Sequence, residues 1–330
     1  MRFGMPAEWA PHAAVWIGWP SHPDLWADDL APARAEVVAF ACAVHAGGRG
    51  ERVMMVAADE VAAEAARALA GDVAEVTVRA FGDVWLRDTG PIVTRGADGL
   101  RAQRFGFNWW GGKYALVGDL EVGALLAEDA GLPLDQRDWV LEGGAIDVDG
   151  AGLCVTTEQC LLNPNRNPGL SREDIGRRLR DSLGIERVLW LGEALAGDHT
   201  DGHVDNLARF VGPNRLALPE PTGADDPNAD VYRDAAARAR AAGVEVVALP
   251  SPGLVERDGE VVPASYMNFY VGNAAVVVPT YGAPNDAAAV AAVGALFPGR
   301  QAVGVRSDHL LTGGGSLHCI SQQLPVGEGA

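Results

Sequence analysis

One order of elements recurs through these 330 residues and restricts the chain to architectures assembled from similar modules. Residues 142–157 (EGGAIDVDGAGLCVTT) read as a β-hairpin turning at Asp149-Gly150. Residues 171–183 read as a helix, with Ser171 and Asp174 as a capping pair and Ile175, Leu179 and Leu183 on one apolar face. A short strand is expected at 187–191. The order returns as a hairpin at 203–218 around Gly212-Pro213-Asn214, an Ala/Arg-rich helix at 229–242 and a strand at 244–249. It returns again as a hairpin at 266–279 turning at Gly272-Asn273, a helix at 284–297 and a strand at 301–305. Residues 85–105 and the helix after Asp119 follow it with weaker signals. The stretches 13–19 and 316–321 are expected to make a fifth unit jointly. Hairpin starts at 85, 142, 203 and 266 lie 57, 61 and 63 residues apart. Such a period predicts a closed ring of α/β modules. A single mixed α/β sheet would produce the same order, and pattern alone does not separate the two. No stretch is long or biased enough to be a linker, so residues 1–330 are read as one domain; 219–228 and 250–263 are expected to be surface loops.

The formal charge of −18, from 44 acidic and 26 basic residues, repels nucleic acid and anionic membranes and favours approach of cations. The amino-terminal residues lack a basic flank followed by an apolar run, and the longest apolar stretch, 287–297, is too short to span a bilayer. Four cysteines (Cys42, Cys154, Cys160, Cys319) in a chain of this size without an export signal are expected to be reduced thiols in the cytoplasm. A homo-oligomer is compatible with the sequence.

Chemically capable residues fall at the module starts. Asp88 sits in Trp85-Leu-Arg-Asp-Thr-Gly-Pro91, Glu142 precedes two glycines, His203 and Asp205 open the third hairpin, and Cys319 follows the run Gly313-Gly-Gly315. Modules arranged around an axis would bring these groups to one pocket, with glycines permitting close approach. Each also has a plain structural reading: Asp88 as a turn cap, Glu142 as a solvated loop residue, His203 as a hydrogen-bonded structural histidine, Cys319 as a small buried hydrophobe. Asp205 is hardest to dismiss, because a carboxylate within the apolar stretch 204–211 is costly unless paired. Cys42, Cys154 and Cys160 are read as structural. Carboxylates with a thiol and an imidazole suit attack on a guanidinium carbon: acids clamp the planar cation, the thiolate attacks, and the histidine moves protons. This chemistry needs neither metal nor cofactor, because the small cationic guanidino substrate carries its own charge.

The motifs Met5-Pro-Ala-Glu-Trp9, Trp16-Ile-Gly-Trp-Pro20, 85–91, Phe107-Asn-Trp-Trp-Gly-Gly-Lys-Tyr114, Leu141-Glu-Gly-Gly144 and 160–168 (CLLNPNRNP) resemble the agmatine deiminases, as do 200–206 (TDGHVDN), 264–270 (ASYMNFY) and 313–323 (GGGSLHCISQQ). They run in family order over almost the whole chain. The resemblance implies a pentein fold, a five-module α/β propeller. It implies conversion of agmatine and water to N-carbamoylputrescine and ammonia, on a route to putrescine. It also implies Cys319 as the nucleophile forming an amidino-cysteine, His203 as general acid/base, Asp88 and Asp205 as the guanidinium clamp, Glu142 as a further acid of the pocket, and Trp85 packing on the substrate.

Three departures stand out. Relatives usually read Asp-Glu-Thr where this chain has Asp198-His199-Thr200; the segment after Lys113-Tyr114 lacks the usual prolines and acids; and 249–264 is short. These regions are expected to meet the far end of the substrate, so arginine, peptidyl arginine or methylated guanidines stay open as alternatives. A second rival is a zinc hydrolase, since His199 and His203 have the spacing of two helical ligands.

Overall fold

The computed structural model describes residues 3–223 and 225–327. Their strands form a mixed α/β structure of five sheets with three or four strands each, plus one two-stranded ribbon. Four sheets follow one plan. Ile92–Gly96 runs antiparallel to Gly99–Gly106, which pairs in parallel with Leu134–Val140. The plan repeats in Asp147–Val148, Leu153–Thr157 and Arg187–Leu191. It repeats again in Arg209–Gly212, Arg215–Glu220 and Glu245–Pro250, and in Tyr270–Val271, Ala275–Thr280 and Gln301–Arg306. The parallel step needs a crossover, and the helices Val122–Asp129, Arg172–Leu183, Ala229–Ala241 and Asp286–Leu296 supply it. The helices and parallel strands expected within 142–191, 203–249 and 266–305 thus lie where their residue types place them, whereas the hairpins expected from 142, 203 and 266 begin only at Asp147, Arg209 and Tyr270.

The fifth sheet joins both ends of the chain. Ser321–Pro325 pairs antiparallel with His12–Gly18, which pairs in parallel with Arg52–Ala57 after the helix Leu30–His45. A further parallel strand, Glu75–Val78, extends this sheet. The terminal strand begins later than the 316–321 expected from sequence. Residues 316–320 are buried but form a turn instead, in which Ile320 N donates to Ser316 O and Ser321 N to His318 O. Within the expected loop 250–263, Glu256–Arg257 and Glu260–Val261 form a small ribbon through Asp258 and Gly259, both at positive φ.

Local energetics explain the elements. In Arg172–Leu183 the Ser171 hydroxyl accepts from Asp174 N while Ser171 N donates to the Asp174 carboxylate. Such a cap stabilises a helix by about 1 kcal/mol. Ile175, Leu179 and Leu183 are fully buried, and Gly184 at φ 71° ends the helix. Ala275–Thr280 is buried at every position, because helices cover it on both faces: Asp286–Leu296 on one side, Leu30–His45 on the other.

One feature positions the site. Ahead of the first strand in each plan the chain makes a tight buried turn: Leu86–Thr89, Gly143–Ala145, Val204–Asn206, residues 265–268 and 316–320. Asp88, Asp205 and Cys319 stand in these turns, with Glu142 and His203 immediately before two of them, rather than on strands. A strand would send alternate side chains to opposite faces; a single helical turn lets adjacent residues be buried together. Among the described residues no helix is long and apolar enough to cross a membrane.

Candidate active site

A cavity of about 220 Å³ is lined by Trp85, Asp88, Trp110, His203 and Cys319, with the run Gly313–Gly315 on one wall and Tyr114, Leu116, His199 and Thr312 around it. Four of the six residues singled out from sequence therefore meet on one surface. Asp205 lies behind the thiol, its Oδ2 3.5 Å from Cys319 Sγ. Glu142 is fully buried behind the wall rather than in it, held by Arg166 Nε at 2.7 Å.

The thiol is closely surrounded. Asn268 Nδ2 donates to Cys319 Sγ at 3.1 Å and to Asn206 Oδ1 at 2.9 Å, while Asn268 Oδ1 accepts from the backbone N–H of His318 and of Cys319. A Cβ on Gly315 would lie 2.7 Å from Trp85 Cζ3 and 3.0 Å from the sulfur, so the glycine lets the main chain pass between indole and thiol. Burial pushes the Cys319 thiol well above its ordinary value, and the charges of Asp205 and Asp88 push it further. A cation entering the cavity opposes both carboxylate contributions and favours the thiolate.

The two aspartates differ. Asp88 is held by Trp110 Nε1 at 2.9 Å on Oδ2 and by Gly144 N at 2.9 Å on Oδ1, with His203 Nδ1 3.7 Å from Oδ2. A side chain at Gly144 would strike His203 Nδ1 at 2.6 Å, so glycine is required there. Burial raises the Asp88 pKa, opposed by the nearby His203 and the Trp110 N–H. Trp110 reaches Asp88 from a left-handed backbone (φ 55°), and its neighbour Trp109, which donates to Leu116 O, is left-handed too (φ 54°). Such non-glycine conformations cost of the order of 1 kcal/mol and persist where surrounding contacts hold them. Asp205 is also buried, yet its pKa falls. Desolvation is outweighed by His318 Nδ1, which donates at 2.8 Å, and by the charges of His318, His203 and Arg209.

His318 Nε2 faces Glu8 Oε2 at 2.7 Å, and Arg209 reaches the same Glu8 oxygen at 2.9 Å. Glu8, His318, Asp205 and Arg209 thus form a buried network beneath the thiol. Sequence reasoning assigned none of Glu8, His318, Asn268, Trp110 or Arg166 to the site, although all lie in the quoted motifs. The usable signal was the repeat: a unit starting at 266 should also supply a polar residue from its lead-in turn, and Asn268 is that residue.

The mouth carries the departures from the family pattern. His199 is exposed there, Tyr114 is 46% exposed, and Lys113 Nζ is bound to Asp201 Oδ1 at 2.6 Å and to His199 O at 2.7 Å. Residues 197–202 are turn, with Asp201 and Gly202 at positive φ, so exposed His199 and buried His203 share no helical face. The helical pair of zinc ligands read from their spacing is therefore absent. Cavity walls of this composition can hold a planar cation between aromatic faces and the Asp88 carboxylate, beside the Cys319 sulfur.

The chain matches the pattern described as Porphyromonas-type peptidyl-arginine deiminase over residues 4–325. It is 40% identical to the agmatine deiminase of Stutzerimonas stutzeri, over 98% of this chain and 95% of that one. Its fold is similar to that of the agmatine deiminase of Enterococcus faecalis (TM-score 0.92, 32% identity, 98% and 96% coverage). A C. jejuni agmatine deiminase with substrate bound is also similar (TM-score 0.92, 28% identity, 98% and 97% coverage). With the match spanning nearly every residue, and a thiol, an imidazole and a carboxylate gathered at one cavity with a second carboxylate behind the thiol, the chain belongs to the Porphyromonas-type peptidyl-arginine deiminase family, hydrolases of the C–N bonds of linear amidines.

Proposed function

We propose that this protein converts agmatine and water to N-carbamoylputrescine and ammonia through a covalent amidino-cysteine. The observation that carries the reading is the meeting of Cys319, Asp88 and His203 on one cavity, with Asp205 at 3.5 Å from the sulfur. The guanidinium binds with its N–H groups toward Asp88 and Asp205 and its plane against Trp85. Its charge lowers the thiol pKa, the thiol proton passes to His203, and the Cys319 sulfur forms a bond to the guanidinium carbon. His203 gives a proton to one nitrogen, the C–N bond breaks and ammonia leaves. The same imidazole then takes a proton from water as its oxygen bonds to carbon; the C–S bond breaks, releasing the ureido product and regenerating the thiol. Alkylguanidinium plus water thus yields alkylurea plus ammonium. Carboxylates paired with the departing charge keep the water-excluded site from stranding an isolated ion.

Glu142 acts from behind the wall, where its Oε2 has no hydrogen-bond partner among the described residues. The five repeated units support a ring closed by the sheet that joins both termini, a pentein propeller forming one catalytic domain. Four free cysteines fit a reducing cytoplasmic location.

The test is ammonia and ureido-product release across agmatine, arginine, methylated arginines and simple alkylguanidines. Agmatine should give the highest kcat/KM, Cys319→Ala should release nothing, and His203→Ala should accumulate a mass adduct on Cys319. Ammonia release by Cys319→Ala would end the covalent reading. A second reading, a guanidine with a different tail, is favoured by one observation: His199, Tyr114, Leu116 and Thr312 at the mouth include no carboxylate for a distal ammonium.

A further inference from the structure

Behind the cavity wall, Glu142, Cys160 and His203 bring one ligand atom each within 4.8 Å of one another, and all three side chains are buried. Among the described residues, Glu142 Oε2 and His203 Nε2 are both buried without a hydrogen-bond partner. Unpartnered acceptors in a dry interior are costly, and two facing one thiol make a coordination site in outline. We propose that Glu142, Cys160 and His203 form an inhibitory zinc site that withdraws the imidazole from turnover. This inhibition rests on the deiminase reading, since it requires His203 to be the proton carrier; the binding itself does not.

The donor set is one carboxylate oxygen, one imidazole nitrogen and one sulfur. The sulfur selects zinc over the harder magnesium and calcium. Zinc–ligand bonds of about 2.0–2.3 Å place tetrahedral donors roughly 3.3–3.8 Å apart, so the side chains need close by only about half an ångström each. Outer partners that such sites require are already in place. Asp88 Oδ2 stands 3.7 Å behind His203 Nδ1, leaving Nε2 for the metal. Arg166 Nε holds Glu142 Oε1 at 2.7 Å, which leaves Oε2 free. Thr157 Oγ1 accepts from Cys160 N at 3.1 Å and fixes the thiol's turn. Arg166 is also paired with Asp201, so its positive charge is shared between two carboxylates. His203 lines the cavity, so the site lies one side chain away from it. On binding, the Cys160 thiol releases its proton to solvent as the Zn–S bond forms.

Cys160 takes no part in the proposed turnover, which makes the test selective. In chelator-free buffer, zinc chloride should inhibit the wild-type protein, while Cys160→Ala keeps its turnover and needs at least about 10–100-fold more zinc for half-inhibition. Equal sensitivity of the two proteins would overturn the proposal and move the ion to Cys319. Cobalt(II) provides a readout without turnover. The Cys319→Ser protein should take up one equivalent with a sulfur-to-cobalt charge-transfer band, and adding Cys160→Val should remove it. Absence of the band in Cys319→Ser sinks the site even if the Cys160 variants fail to fold. A protein that binds cobalt in this way but deiminates no guanidine would refute the functional reading and leave the site standing.

Discussion

Replacing Asp205 with asparagine should drive two readouts in opposite directions. The carboxylate is fully buried, accepts from His318 Nδ1 at 2.8 Å, and lies 3.5 Å from the Cys319 sulfur. Asparagine keeps the shape and one acceptor but removes the charge. Losing one member of a desolvated charge pair costs about 2–5 kcal/mol, so kcat/KM for agmatine should fall roughly 30- to 4,000-fold. In the unliganded protein the same carboxylate adds to the burial that keeps the thiol protonated. Without it the thiol pKa drops and more thiolate is present near neutrality. Alkylation of Cys319 by iodoacetamide at pH 8, followed by mass spectrometry of its peptide to separate it from exposed Cys42, should therefore quicken by about three- to tenfold. The reasoning fails if turnover stays within about threefold of wild type, or if alkylation slows together with turnover.

Three further outcomes are expected. Gly315→Ala places a methyl 2.7 Å from Trp85 and 3.0 Å from the thiol; overpacking of about 1–3 kcal/mol should lower kcat/KM by about 5- to 150-fold, and an unchanged rate would show that the glycine is not needed for approach. Trp110→Phe removes an N–H donor to ionised Asp88, a bond worth about 1.5–3 kcal/mol. Burial already raises that carboxyl, so the acid limb of the kcat/KM profile should move to higher pH; an unmoved limb counts against Asp88 as the clamp. Burial also raises Asp119 from 3.8 to about 6, despite backbone hydrogen bonds from Gly82 and Asp83. Its folded pKa exceeds its unfolded one, so its favourable contribution is complete below pH 3.8 and lost as pH rises through about 6. That loss amounts to about 3 kcal/mol. Asp119→Asn should flatten the fall of Tm between pH 4 and 7, and an identical pH slope for both proteins refutes it.

What the sequence determined by itself is the part with a short reach. A hairpin turns on two or three residues, and a helix cap spans three positions, as with Ser171 and Asp174; their energies do not depend on the rest of the chain. That is why the repeated units and the helix 171–183 were legible, and why the turn-rich starts at 85, 142 and 203 pointed to Asp88, Glu142, His203 and Asp205. Tertiary structure decided what those residues face. His318 sits beside Cys319 in sequence, yet its meaning comes from Glu8, 310 residues away, and Asp205, 113 residues away. Asn268 touches a sulfur 51 residues further on, and Trp110 reaches back to Asp88 through a left-handed backbone that propensity disfavours. Whether a carboxylate lines the cavity, like Asp88, or lies behind its wall, like Glu142, is set by packing among sheets joined only after the chain has folded. Burial and charge pairing are properties of that assembled interior, where removal from water makes each unpaired group expensive and each pairing strong.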